Sequence, residues 1–459
     1  MRRIPPIGAP SSTGPLVTGP LVTGPLVTGP LVTGAVVCAA LALSLSACGG
    51  DDGGGSKGGA GTASLTGRGP ITFVTGKDRS GYLQKQLDGW NADHPQEKVR
   101  VIELPDEPND QRQQMIQNAT TKSDAYTVLN LDVVWTAEFA ANRWLTPLPK
   151  DRIDLAKMLP ATVTTGQYRG NLYAVPSTSD AGMLYYRKDL LAKAGISAPP
   201  KTYAEMWSDC DKVKKLPEGK GVDCFFTEVN KTESVTISAV EAIGSAGGSI
   251  VGADGRPTLN TPQARQGLQF LVDAKKDGRM PKEAVTLDTE GGRRYFQSGK
   301  LLFQRQWPYQ YALANSGDGS SKVAGEFAVA QLPGPNGPGV ANLGGHNLAI
   351  SAFAKNKATA LDFIRYLTGE QSQRANLLAT SQAPTLASLY DDPEMVKKFP
   401  YLPVLKQAIA NARPRPVAVK YGDVTAAIQG EVYDAVTGRK TVDQALTDLQ
   451  GKLGPLTAQ

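Results

Sequence analysis

The sequence predicts an α/β fold built as two domains. Two observations carry this. Short apolar runs alternate with stretches of helical periodicity, and that β-α-β-α order implies parallel neighbouring strands. The chain also has 459 residues; roughly 400 remain once an export segment is removed, more than one hydrophobic core holds.

The elements follow in order. Residues 71–74 form a short β run. Leu83, Leu87 and Trp90 recur at helical spacing, 99–104 returns to strand character, and 129–135 reads as a further buried strand. Thr202-Tyr203-Ala204-Glu205 is a capping box that opens a helix with Met206, Trp207, Cys210 and Val213 inward. Thr261 before Pro262 is an N-cap ahead of a first-turn proline, leading into Leu268, Leu271 and Val272. Residues 357–367 carry Leu361, Ile364 and Leu367 on one face.

Composition narrows the function. Hydrophobic content of 41% and charged content of 20% are ordinary for a globular protein. The 49 basic and 43 acidic residues form no basic block, which argues against nucleic acid as a partner. His94 and His346 are the two histidines, with no HExxH and no paired CxxC, which argues against zinc catalysis and calls for no cofactor. No apolar run after residue 48 reaches membrane-spanning length.

The N-terminus reads as an export signal. Arg2 and Arg3 precede an apolar run at 35–45, too short to span a bilayer. It ends in Leu45-Ser46-Ala47-Cys48, which resembles a bacterial lipobox and implies a lipid on Cys48 once residues 1–47 are removed. Residues 14–33 repeat GPLVT four times; a proline every fifth residue forbids a continuous helix there. Residues 48–69 are a Gly-rich tether from membrane to domain. GxGxxG and GxSxG matches within 53–58 lack the strand-to-helix context their chemistry needs. Cys38 lies in the export segment. Cys210 and Cys224 are either a disulfide, as an oxidising compartment favours, or two separate buried thiols.

A set of segments then carries a family resemblance: LDVVW at 131–135, GNLYAVP at 170–176, DAGMLYYRKDLL at 180–191, FQSG at 296–299, WPY at 307–309, LGG at 343–345 and PRP at 414–416. In this order and spacing the chain, from about Ile71 to its end, resembles the type 1 extracellular solute-binding proteins of ABC sugar importers, in particular the trehalose/maltose-binding branch. The resemblance implies a two-lobe, periplasmic-binding-protein-like fold (type II, a Venus flytrap) with three interlobe crossings, near 178–182, 339–342 and 383–388. Lobe 1 is then 69–178 plus 342–383, and lobe 2 is 179–341 plus 384–459. A carbohydrate binds reversibly between the lobes and passes to a membrane permease. With the lipobox, the resemblance implies a monomer held by its lipid on the extracellular face of the bacterial cytoplasmic membrane.

Sugars offer hydroxyls and apolar C–H faces, so a sugar site needs carboxylates, planar cationic donors and a stacking ring. Asp132 ends an apolar strand, where α/β sheets place ligand groups; a helix-capping role is its alternative. Asp180 matches a second family carboxylate, with a turn role as its alternative. Trp307 resembles the stacking tryptophan, with a core role as its alternative. Arg415, between two prolines, either donates to hydroxyls or braces a carboxylate. Glu290 and Arg112 match further family positions, with a solvated helix face and a structural ion pair as their alternatives, and Tyr421 remains as a contact candidate beside a replaced tyrosine. Gly344 and Gly345 resemble a double glycine that lets backbone N–H groups approach ligand. Three departures stand out: His346 and Asn347 follow the glycines where the branch has tryptophan, Thr178 replaces an aromatic, and Lys420 replaces a tyrosine. They trade stacking surface for hydrogen bonding, with His346 either a donor to sugar or a satisfied hinge histidine. Two alternatives remain: a secreted glycoside hydrolase with Asp132 and Asp180 as its carboxylate pair, and a binding protein for a polyol-type solute.

Overall fold

A computed structural model describes residues 65–457. The export segment, Cys48 and the tether as far as residue 64 lie outside the described residues. Eleven strands occur among them: β1 (Ile71–Gly76), β2 (Val99–Leu104), β3 (Val128–Asp132), β4 (Gln167–Tyr168), β5 (Asn171–Leu172), β6 (Ala174–Ala181), β7 (Met183–Arg187), β8 (Asp223–Phe226), β9 (Leu301–Gln306), β10 (Phe327–Ala330) and β11 (Leu343–Ile350). They form two main sheets, ordered β2-β1-β3-β11-β6 and β10-β7-β9-β8.

The expected parallel start is present: β1 pairs in parallel with β2 and with β3. The intervening helix Leu83–Asp93 buries Leu87 and Trp90, as the periodicity requires. The sheet then becomes mixed, because β11 returns from far along the chain and lies antiparallel between β3 and β6. Apolar residues cover both its faces. Phe73, Val128 and Leu348 pack with Leu361 and Ile364 on one side. Val74, Leu129 and Leu131 pack with Phe139 on the other. The second sheet shares one core with the helices of the C-terminal region, including Val424, Ile428, Leu446 and Leu449.

One boundary differs from the sequence reading. The run expected as a strand over 129–135 leaves the sheet at Asp132 and turns into the helix Thr136–Ala141. Oδ1 of Asp132 accepts from the Val134 N–H at 3.2 Å, and the Trp135 N–H bonds the Asp132 carbonyl at 2.9 Å. This is an Asx turn, in which the side chain offers the backbone an alternative to the ladder. Val133, Val134 and Trp135 stay buried, which is why the stretch looks like strand in the sequence.

The helix signals are found where expected. Thr202 and Glu205 form a reciprocal capping box for Tyr203–Val213, and Thr261 caps Pro262–Lys276. The chain passes between the sheets at Gly182: β6 ends at Ala181 in one, and β7 begins at Met183 in the other. A Cβ at Gly182 would lie 2.2 Å from Oε1 of Glu241, so this passage has no room for a side chain.

Cys210 on the helix and Cys224 on β8 are bonded as a disulfide, both buried. It closes a loop with a sequence separation of 14, for which lost loop entropy in the unfolded chain gives about 3 kcal/mol. The double substitution Cys210→Ser, Cys224→Ser is expected to lower unfolding stability by about 2–4 kcal/mol, read by urea denaturation; an unchanged midpoint would refute a stabilising bond.

Candidate functional site

The pairing register builds the site. On β11, His346 lies opposite Asp132 of β3 and Gly344 lies opposite Asp180 of β6. Opposed residues share a face, and so do residues two apart along a strand. Asp132, His346, Gly344 and Asp180 therefore stand on one face of the first sheet. All four line a cavity of about 570 Å³. From the second sheet's side, Trp307 follows the buried end of β9 and lines the same cavity, as do Glu233, Glu290, Tyr309 and Arg415.

The two glycines have a packing cause in the structure. A Cβ on Gly344 would fall 2.7 and 2.8 Å from Cζ3 and Cη2 of Trp307, so the indole edge rests on bare backbone. Gly345 has φ +110°, where a side chain is strained, and a Cβ there would strike the Thr178 carbonyl at 2.2 Å. The Trp307 backbone is fixed by the Tyr185 hydroxyl, which donates to its carbonyl at 3.0 Å. Its N–H donates to Oε1 of Gln306 at 3.0 Å.

Arg415 is 2% exposed and braces two carboxylates. Nη2 donates to Oδ1 of Asp132 at 2.6 Å, and Nη1 donates to Oε1 of Glu233 at 2.7 Å. Asp132 belongs to the first sheet, whereas Glu233 opens the helix Glu233–Ser245 that packs in the second core. Tyr421 lies outside the cavity lining: it is fully buried and its hydroxyl donates to Oε1 of Glu233. Thr425 donates to Oε2 of Glu233 at 2.7 Å. Arg112 also lies outside the lining and forks onto Glu138, Nε to Oε2 at 2.7 Å, beside the bare Cα of Gly422.

Glu290 sits at the rim with its oxygens occupied. Tyr309 donates to Oε1 at 2.6 Å, Arg293 Nε donates to Oε2 at 2.9 Å, and Arg79 approaches Oε2 at 3.5 Å. Arg79 also pairs with Asp106 at 2.7 Å. His346 is tied to Thr178, whose hydroxyl accepts from the His346 backbone N–H at 3.0 Å and meets Nδ1 at 3.4 Å. Burial lowers its pKa, opposed by Asp132, so the ring is neutral near pH 7. Asp180 is different. Its carboxylate has no hydrogen-bond partner among the described residues; burial, relieved in part by Arg305 and reinforced by Asp132, pushes its pKa up to about 7.

Sequence reasoning missed Glu233, Glu241 and the role of Arg305. Glu233 follows Thr232 at a helix start and reads as a first-turn acid. Nothing local marks it as the partner of an arginine far along the chain. No cluster of three or more metal-ligating side chains occurs among the described residues.

Two lobes around a cleft lined by carboxylates, a guanidinium and an indole define a protein that captures a solute. Residues 86–403 match the family described as bacterial extracellular solute-binding protein, and the chain belongs to that family. It is similar to a probable ABC transporter-binding protein of Deinococcus radiodurans, 35% identical over 395 residues, which cover 83% of this chain and 92% of the relative. Among solved structures it is similar to maltose-bound MalE3 of T. maritima, with 33% identity, a TM-score of 0.79, and coverage of 84% of this chain and 98% of that one. It is also similar to a solute-binding protein of Agrobacterium radiobacter K84 in complex with ribitol, with 25% identity, a TM-score of 0.73, and coverage of 85% and 99%. The MalE-type two-lobe fold is the expected one. These proteins bind solutes rather than transform them, so the hydrolase alternative falls.

Asp180 gives the site a pH signature. A carboxyl whose folded pKa lies near 7 binds a proton in the native state that the unfolded chain has already lost above about pH 4. Its contribution therefore favours the native state at low pH and declines as pH rises from about 4 to 7. Relative to Asp180→Asn, the wild type is expected to lose stability across that window, read by urea denaturation. Parallel pH profiles would show that the carboxyl is not desolvated.

Proposed function

We propose that this protein reversibly captures a di- or oligosaccharide of trehalose- or maltose-like size and delivers it to the permease of an ABC importer. The reading rests on one observation: β11 holds Asp132 and Asp180 on the same face, with the Trp307 indole seated on the glycine between them. An open carboxylate accepts from hydroxyls, and an indole stacks on a C–H face. A cavity of about 570 Å³ lies within the range of small-ligand sites. The maltose bound to the T. maritima relative supports the same class.

In this reading Asp132, Asp180, Trp307 and His346 face the ligand. Arg415, Glu290, Gly344 and Gly345 shape the site, and Arg112 and Tyr421 support it from outside. The lobes are 69–178 with 342–383, and 179–341 with 384–459. A polyol is the second candidate, favoured by Thr178 at the cleft and by the ribitol in the Agrobacterium relative.

A thermal-shift panel of maltose, trehalose, maltotriose, ribitol and mannitol tests the reading. A true ligand at 100 times its Kd stabilises by about 2.7 kcal/mol. Trp307→Ala is expected to weaken binding of that ligand at least tenfold with the fold intact by circular dichroism. Full affinity in the variant would place the site elsewhere.

The reading also includes export, lipidation of Cys48 and a monomer on the extracellular face of the membrane. Cys48→Ser is expected to abolish incorporation of radiolabelled palmitate and to move the protein from the membrane fraction to the medium. Retained label would show that another residue carries the lipid.

A further inference from the structure

Behind the Trp307 indole lies an ion pair that ligand contact does not use. Arg305 is 1% exposed and Glu241 5%, and neither lines the cavity. Nε and Nη2 of Arg305 donate to Oε2 and Oε1 of Glu241 at 2.8 and 2.7 Å. This bidentate fork fixes the guanidinium plane. Its central carbon lies 3.8 Å from the centroid of the Trp307 ring. Nη1 has no hydrogen-bond partner among the described residues, and the electron-rich indole face attracts the guanidinium charge as a whole.

Glu241 makes a second set of contacts. Its Oε1 accepts from the Asn342 backbone N–H at 3.1 Å, on the segment that returns from β10 to β11. The same oxygen lies over Gly182, where the chain passes from β6 to β7. One carboxylate thus touches two of the passages between the sheets while clamping the cation behind the indole. A buried pair of this kind adds little net stability over apolar side chains of the same volume. Stability alone does not account for it.

We propose that Arg305 is a positioning residue for ligand binding: clamped by Glu241, its guanidinium holds the Trp307 indole on Gly344, beside Asp180, and keeps that stacking surface in register with the strand passages. The proposal rests on Trp307 being the ligand-stacking residue. Lysine at 305 keeps the charge beside Glu241 but loses both the fork and the planar stack, so Arg305→Lys isolates the positioning role.

The test uses the full chain labelled with 5-fluorotryptophan and read by fluorine NMR without ligand. The chain has five tryptophans, and the Trp307 signal is the one lost in Trp307→Phe. Arg305→Lys is expected to shift and broaden that signal while the other four stay in place. The double substitution Arg305→Met, Glu241→Leu removes both charges together and should move the same signal, which covers the case in which the lysine variant folds poorly. An unmoved Trp307 signal in a folded variant overturns the proposal.

Calorimetry with maltose adds the binding arm. Arg305→Lys should lose at least tenfold in affinity, but less than twofold when introduced into Trp307→Ala. Equal losses in both backgrounds would mean that Arg305 acts independently of the indole, and would overturn it. If maltose does not bind the wild type, the sugar of the panel that does bind takes its place; if none of maltose, trehalose and maltotriose binds, the carbohydrate reading fails, and the fluorine signal still decides the role of Arg305.

Discussion

The site depends on one strand pairing, that of β11 antiparallel between β3 and β6. Side chains alternate faces along a strand, so a one-residue slip of β11 would leave His346 and Gly344 on the wrong side of both aspartates. The buried flanks hold the register: Leu348 and Ile350 point into one apolar cluster and Ala349 into the other. The two glycines then become necessary. Gly344 must be bare because the indole rests there, and Gly345 because its φ of +110° and the nearby Thr178 carbonyl admit no side chain.

At the cleft, carboxylates that the protein satisfies contrast with Asp180, which it leaves open. Arg415 is buried and spends its two terminal nitrogens on Asp132 and Glu233. Removing one member of such a set strands a charge, which costs about 3–5 kcal/mol. Glu233 is further held by Tyr421 and Thr425. Glu290 is held by Tyr309 and Arg293. Asp180 lies beside the indole with no donor of its own among the described residues, and its raised pKa records the cost of that isolation. A solute hydroxyl that donates to Asp180 removes part of this cost, which gives the cleft a reason to bind.

Local signals were legible in the sequence and long-range partners were not. The capping box at Thr202, the N-cap at Thr261 and the strands beginning at Ile71 and Val99 are written in nearest neighbours. Asp132 showed itself because a charge closed an apolar run, yet the same run hid the Asx turn, since Val133, Val134 and Trp135 are buried with or without a ladder. Tyr421 and Arg112 carry side chains suited to a sugar site, but both lie outside the lining and each turns to a carboxylate, Glu233 and Glu138. The Arg415–Glu233 contact spans 182 positions and the Arg305–Glu241 contact spans 64. Composition and periodicity carry no signal for such pairs; only the folded sheets bring them together.

In the proposed reading, the cleft's selectivity rests on Trp307, Asp180 and His346. Thr178 and His346 line it and are tied to each other, the Thr178 hydroxyl accepting from the His346 backbone N–H and meeting Nδ1. Trp307 offers one face, because Arg305 occupies the other at 3.8 Å. A single indole face tolerates many rings, since stacking reads shape loosely. Directed hydrogen bonds discriminate more sharply, because an analogue lacking the matching hydroxyl leaves a buried polar group unpaired. In the proposed reading, Asp180 opposite Gly344 and His346 two residues along β11 set which hydroxyl pattern the site accepts, and Trp307 sets where the ring must lie for that pattern to be read.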